Sequence, residues 1–149
     1  MIASLRANRM CILEAHAIAM ENAMPPGMKE MIDEANRVVP RISPEEAMAL
    51  IEQGNVLVVD VREPSEVEAS GKVAGAVIVP RGMLDSRADP LSPHHDAAFD
   101  KSKHVILYCA SGARSALGGK LLKDMGYEKV FNLGGFQDWA AAGGSVEPG

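Results

Sequence analysis

Apolar residues in the chain fall into two patterns that alternate from about residue 43 onward. One pattern is a short continuous run rich in Val, Ile and Leu, which predicts a strand buried on both faces. The other has helical spacing. The runs occupy residues 55–61, 75–80, 104–109 and 129–133, and the helical segments occupy residues 43–54, 62–70 and 115–125. Strands that alternate with helices predict an α/β fold with a parallel sheet.

The first helix of this alternation carries start and stop signals. Ser43 is a natural N-cap, Pro44 suits the first helical position, and Glu46 completes a capping box. Gly54 can end the helix. We therefore place the beginning of the folded domain just before Ser43.

Residues 1–40 differ from the rest of the chain. Two helical patterns in this segment are separated by the sequence MPPG at residues 24–27, where prolines and a glycine break the periodicity. We therefore predict an N-terminal helical arm over residues 1–40 and one domain over residues 41–149. The arm is expected to pack on the outside of the domain, and a homodimer contact is the alternative.

Composition limits the function classes. The 149 residues are 47% hydrophobic, enough for one domain with a proper core. The net charge is -5, and the basic residues form no stripe, which argues against nucleic acid as a partner. A small anionic substrate is still compatible with this charge, because only the local field at its pocket matters. Two cysteines are too few for a disulfide framework, and no run approaches the ~20 apolar residues of a membrane span. We expect a cytoplasmic protein without a membrane partner.

The candidate chemistry lies where the run HVILYC ends at Cys109. In a parallel sheet this strand end faces the ligand crevice, and the next helix directs its N–H groups there. Small residues follow the cysteine, so backbone N–H groups can surround the sulfur and lower the pKa of the thiol. Arg114 adds a guanidinium, whose positive charge and parallel N–H donors suit an oxyanion. The candidate catalytic residue is Cys109, and the candidate binding residues are Ala110, Ser111, Gly112, Ala113, Arg114 and Ser115.

Several motifs together resemble the single-domain rhodaneses, a family of sulfurtransferases. They are VLVVDVREPSE, GAVIVP, YCASGARSA, LLKDMGY and LGGFQDWAAAG, spread over residues 42–147. The resemblance implies a rhodanese-like three-layer fold with a five-stranded parallel sheet flanked by helices. It also implies that Cys109 carries sulfur as a persulfide, cradled by the loop up to Arg114. The chain departs from the family pattern at Lys72, where a histidine is usual.

Other residues have weaker indications. Asp60 ends the first strand, where it can bond loop amides or pair with Arg62, and we favour a structural role for both. Arg81 follows another strand and is a second candidate for steering an anion. Cys11 can in principle resolve a persulfide. The sequence HHD at residues 94–96 lacks further matched ligands, so no metal site is expected.

The expected reaction moves sulfur from thiosulfate or a related donor to a thiol or cyanide acceptor through a Cys109 persulfide, without a cofactor. Two alternatives stay open. One is a non-turnover persulfide carrier for a partner protein. The other is a cysteine phosphatase or arsenate reductase, whose loop is one residue longer than the stretch from Cys109 to Arg114 and therefore encloses more space.

Overall fold

A computed structural model of the chain describes residue 25 and residues 27–149. Residues 31–149 form one compact unit, which carries nearly all the features described below. Most of the predicted arm lies outside the described residues, as do its proposed dimer contact and Cys11. Those three predictions therefore stay predictions.

The predicted strands and helices over residues 43–133 are all present, together with further short elements. The helices are α1 (Met28–Val38), α2 (Pro44–Gln53), α3 (Pro64–Ser70), α4 (Leu84–Ala88), α5 (Ala113–Asp124) and α6 (Phe136–Ala141). The strands are β1 (Val56–Asp60), β2 (Lys72–Val73), β3 (Val77–Ile78), β4 (His104–Cys109), β5 (Val130–Gly135) and β6 (Val146–Glu147). A 3₁₀ turn covers Arg81–Met83. The capping box at the start of α2 is present, with 3.1 Å between the Ser43 hydroxyl and the Glu46 amide.

The main sheet has the strand order β3-β1-β4-β5, and all its pairs are parallel. The predicted α/β fold is confirmed, but the described sheet has four strands and not five. In place of a fifth strand, Arg41 makes a single parallel bridge with Asn132 at the outer edge of β5. Only four residues lie between the end of α1 and the N-cap Ser43, so the chain runs along this edge for a short distance.

The two faces of the sheet are covered by different helices. Along β4, Val105, Leu107 and Cys109 pack in one apolar cluster with residues of α4 and α5. Ile106 and Tyr108 pack in the other cluster with residues of α2 and α6. This alternation produces three layers, and it places the Cys109 side chain on the α5 side. In the part of the chain that the structure describes, no helix is long and apolar enough to cross a membrane.

Candidate active site

The cysteine loop is a tight turn between β4 and α5. Strand β4 ends at Cys109, and α5 begins four residues later at Ala113. Gly112, with φ of 100°, occupies the left-handed region that favours glycine. Its N–H donates to the Cys109 sulfur at 3.0 Å. The turn thus brings a backbone donor of the loop onto the sulfur.

The Cys109 sulfur is buried among hydrogen-bonding groups. Cys109 is 0% exposed, and its sulfur lies 3.4 Å from the hydroxyl oxygen of Ser115. Burial raises the pKa of the thiol, whereas the Ser115 hydroxyl and the amides of Ser115, Ser111 and Gly112 lower it. The hydrogen-bonding groups outweigh burial, so the pKa of Cys109 lies below its ordinary value. The site therefore favours a nucleophilic thiolate.

A buried amide, Asn132 of β5, holds the loop from behind. The Ser115 hydroxyl donates to the Asn132 side-chain oxygen at 2.8 Å, and the Gly134 N–H donates to the same oxygen at 2.9 Å. The Asn132 amide nitrogen donates to the Gly112 carbonyl at 3.0 Å. These bonds connect β5 with Gly112 and with Ser115 in the first turn of α5, so they fix the helix end of the loop beside Cys109.

Arg114 is engaged by a carboxylate of helix α3. Its two terminal nitrogens donate to the two Glu66 oxygens at 2.6 and 2.8 Å. The hydrogen bond from Arg114 lowers the pKa of Glu66 to about 2. The pKa of Arg114 is raised, chiefly by Glu66 and to a smaller extent by the Cys109 sulfur. The guanidinium therefore lies close to the sulfur while its terminal nitrogens are paired with protein.

Asp60 and Arg62 form a separate network. Arg62 donates through Nε and Nη2 to Asp60 at 3.0 and 2.8 Å, and the Tyr108 hydroxyl donates to Asp60 at 2.6 Å. The Val73 N–H donates to that hydroxyl at 3.0 Å. Tyr108 packs on the α2 and α6 side of the sheet, whereas Cys109 faces α5. Asp60 is thus bonded to Arg62 and Tyr108 rather than to the amides of the cysteine loop.

Comparison with protein families gives a clear match. The model of the rhodanese-like domain matches residues 43–142. The chain belongs to the rhodanese-like family. The matched residues contain the cysteine loop, the Glu66–Arg114 pair and Asn132.

Curated relatives of this rhodanese-like chain include sulfurtransferases and a carrier. A sulfurtransferase of Allochromatium vinosum is 35% identical over 95 residues, which cover 63% of this chain and 80% of that protein. A thiosulfate:glutathione sulfurtransferase of Saccharomyces cerevisiae is 36% identical over 95 residues, covering 60% and 68%. A Bacillus subtilis protein assigned provisionally as a sulfur carrier is 30% identical over 103 residues, covering 68% and 51%.

A solved structure of similar length carries a different functional suggestion. It is a protein of unknown function from Rhodopseudomonas palustris, described as a possible tyrosine phosphatase. It is 40% identical, has a TM-score of 0.77, and the match covers 85% of this chain and 98% of that one. This similarity confirms the fold, and it keeps phosphatase activity among the alternatives to test.

Arg41 lies beside the cysteine loop, although in the sequence it precedes the residues that the family model matches. A Cβ atom built on Gly112 would lie 2.9 Å from Arg41 Nη1 and 3.2 Å from the Cα atom of Gly134. A Cβ on Gly134 would meet the Arg41 guanidinium even more closely. The guanidinium therefore lies against the backbone of both glycines, next to the residue that donates to the Cys109 sulfur.

Three residues around the cysteine loop were not predicted from the sequence, namely Asn132, Glu66 and Arg41. The sequence contained an indication for Asn132, because a side-chain amide inside the apolar run KVFNL must find buried hydrogen-bond partners. Glu66 ends the motif VLVVDVREPSE, but nothing in that motif indicates its partner, which lies 48 residues away on another element. Arg41 had no such indication, because it precedes the motifs that carry the resemblance.

The remaining candidate residues lie at the protein surface. Ala110 and Ser111 are exposed at the tip of the loop. Arg81 is exposed in the 3₁₀ turn that follows β3, and its expected contact with an anion stays a prediction. Among the described residues, no group of three or more His, Cys, Asp or Glu side chains is arranged to hold a metal ion.

Proposed function

We propose that this rhodanese-like protein is a sulfurtransferase that carries sulfur as a persulfide on Cys109. One observation carries the proposal: the Cys109 sulfur is buried, accepts a hydrogen bond from the Gly112 N–H at 3.0 Å, and has a lowered pKa. The thiolate is the reactive form of cysteine. A tight ring of amide donors also suits the terminal charge of a persulfide.

The reaction has two balanced steps. The Cys109 thiolate first attacks the outer sulfur of thiosulfate, so that a new S–S bond forms, the old S–S bond breaks, and sulfite leaves with the electron pair. A thiolate or cyanide acceptor then attacks the outer sulfur of the persulfide, and the Cys109 thiolate leaves. The acceptor gains one sulfur atom, and the enzyme returns to its first state.

The loop residues have distinct proposed roles. The amides of residues 110–113 hold the attacking sulfur, and the Ser115 hydroxyl can donate to the thiolate. Arg114 supports the negative charge near the sulfur while Glu66 fixes its orientation. Arg81 is proposed to steer the incoming anion. The stretch from Cys109 to Arg114 is short, which fits one sulfur atom better than a tetrahedral phosphate.

Mass spectrometry tests the proposal directly. Incubation with thiosulfate, followed by intact-mass analysis, should add one sulfur atom to the native chain and to Cys11→Ser. Cys109→Ser should gain none. Sulfur that remained on Cys109→Ser would move the chemistry to another residue and contradict the proposal.

A persulfide carrier is the second candidate, and the similarity to the Bacillus subtilis protein favours it. Both functions need the same loop, so turnover distinguishes them. Steady thiocyanate production from thiosulfate and cyanide indicates the enzyme. Stable loading, with sulfur released only to a protein partner, indicates the carrier.

A further inference from the structure

The positive charges next to the cysteine loop are not equally available. Arg114 is paired in two hydrogen bonds with Glu66. Other ion pairs in the described part of the chain include those of Arg62, Lys72 and Lys120. Arg41 is exposed and takes part in none of these pairs. Arg41 therefore offers an incoming anion a guanidinium beside the loop glycines that is not engaged in any of these ion pairs.

The backbone holds Arg41 in a fixed place. Its parallel bridge with Asn132 anchors its main chain to the edge of β5. The Ile42 N–H donates to the Asn132 carbonyl at 3.0 Å, and the Asn132 N–H donates to the Pro40 carbonyl at 2.9 Å. The Arg41 side chain then runs across Gly134 to Gly112, where the absence of a Cβ atom leaves space for the guanidinium. The position thus results from the fold and from two glycines.

We propose that Arg41 is the anion-recognition residue of the cysteine loop. The inference deepens the proposed function, because the group it binds is the sulfonate end of a thiosulfate-type donor. When Cys109 attacks the outer sulfur, the sulfonate must remain outside the ring of loop amides. A guanidinium offers two parallel donors to such an oxyanion.

The negative net charge of the molecule makes a positive group beside the loop important for binding an anionic donor. The chain has a net charge of -5, so the average field repels a dianionic donor. An exposed guanidinium that lies against Gly112 makes the field at the loop locally more positive. Its effect on affinity is moderate, because solvent screens an exposed charge.

Two alkylating reagents test the local field without requiring sulfur transfer. Iodoacetate is an anion and iodoacetamide is neutral, yet both alkylate the same thiolate. The ratio of their rate constants at Cys109, located by peptide mass spectrometry, reports the charge beside the sulfur. Arg41→Gln should lower this ratio about three- to tenfold, and Arg41→Lys should retain most of it. The matched control is Lys129→Gln, an exposed charge at the opposite end of β5, which should leave the ratio unchanged.

Steady-state kinetics supplies the second readout. In Arg41→Gln the KM for thiosulfate should rise about three- to tenfold while kcat stays within about twofold. An unchanged alkylation ratio would overturn the inference, whatever the activity of the native chain. A ratio that falls equally in Lys129→Gln would also overturn it, since the effect would then belong to net charge.

A slower iodoacetamide reaction in Arg41→Gln with an unchanged ratio would mean that Arg41 only supports the loop, which contradicts the inference as well. Native protein that reacts with the two reagents as expected but takes no sulfur from thiosulfate would instead contradict the proposed function. The two failures are therefore distinguishable.

Discussion

At the scale of single residues, Asn132 determines where the Ser115 proton points. The Asn132 oxygen can only accept, so the Ser115 hydroxyl donates to it, and the Ser115 oxygen is left to accept from the Cys109 thiol. After Cys109 loses its proton, rotation of the hydroxyl lets it donate to the thiolate. The Gly134 N–H still satisfies the Asn132 oxygen. Ser115 can therefore serve both protonation states of the sulfur.

Ser115→Ala tests this arrangement. The hydroxyl lowers the pKa of Cys109, so its removal should move the pKa upward and reduce the thiolate fraction at any pH below the pKa. The iodoacetamide alkylation rate of Cys109, measured against pH, should show a midpoint at higher pH than in the native chain. Ser102→Ala removes an exposed hydroxyl at the other end of β4 and should keep the native profile. A native midpoint in Ser115→Ala would contradict the role assigned to the hydroxyl.

The sequence predicted residues of the site that are contiguous in the chain. Cys109 and its loop were recognisable because a strand, a small-residue turn and a helix follow one another. Glu66 and Arg41 were not, because each reaches the loop from another element and only the folded sheet brings them together. Their contacts depend on tertiary distance, which residue spacing does not encode.

At the scale of elements, the turn between β4 and α5 controls the size of the anion site. Inserting a glycine between Gly112 and Ala113 would lengthen the turn to that of the phosphatase pattern and move the amides away from the sulfur. We expect the insertion variant to lose sulfur loading from thiosulfate, as followed by intact mass. A glycine inserted after Leu91, which is 93% exposed, should leave loading intact.

The native chain should not hydrolyse a generic aryl phosphate. Aryl phosphate hydrolysis that disappears in Cys109→Ser would instead support the phosphatase alternative raised by the Rhodopseudomonas palustris structure. Undiminished sulfur loading in the insertion variant would show that a tight turn is unnecessary.

The strand pattern predicted the parallel sheet well, but not its outer edge or its irregularity. Between Leu107 and Tyr108 of β4 the pairing with β5 shifts register, which sets Asn132 beside Leu107 and Gly134 beside Tyr108. Such bulges are typical near active sites, where they redirect side chains. Local hydrophobicity does not reveal a shift of one residue, because that shift depends on which residues of two strands pair.

At the scale of the whole molecule, the Glu66–Arg114 pair connects α3 with α5. Its contribution makes the stability of the fold depend on pH. The pKa of Glu66 is lowered to about 2 in the folded chain from an ordinary value of 4.5. The pair therefore stabilises the fold fully above about pH 4.5, and this contribution is lost as the pH falls toward 2. Its size should be within about 1 kcal/mol, because both side chains are about one-third exposed.

Urea unfolding of Glu66→Gln checks this expectation. The variant should unfold at lower urea concentration than the native chain at pH 7, and the difference should shrink between pH 5 and pH 3. Glu68→Gln, an exposed change on the same helix, should unfold like the native chain. A difference that stayed constant over this pH range would mean that the carboxylate charge is not what stabilises the pair.

The complete burial of Cys109 also has a consequence for regioselectivity. A persulfide has two sulfur atoms that a thiol can attack, and only attack on the outer atom delivers sulfur. Attack on the inner atom would expel hydrosulfide and leave the enzyme blocked as a mixed disulfide. Because the inner atom is the 0% exposed sulfur of Cys109, an acceptor approaching from solvent meets the outer atom first. Persulfidated protein treated with glutathione should therefore yield glutathione persulfide, with no glutathione bound to Cys109 by intact mass.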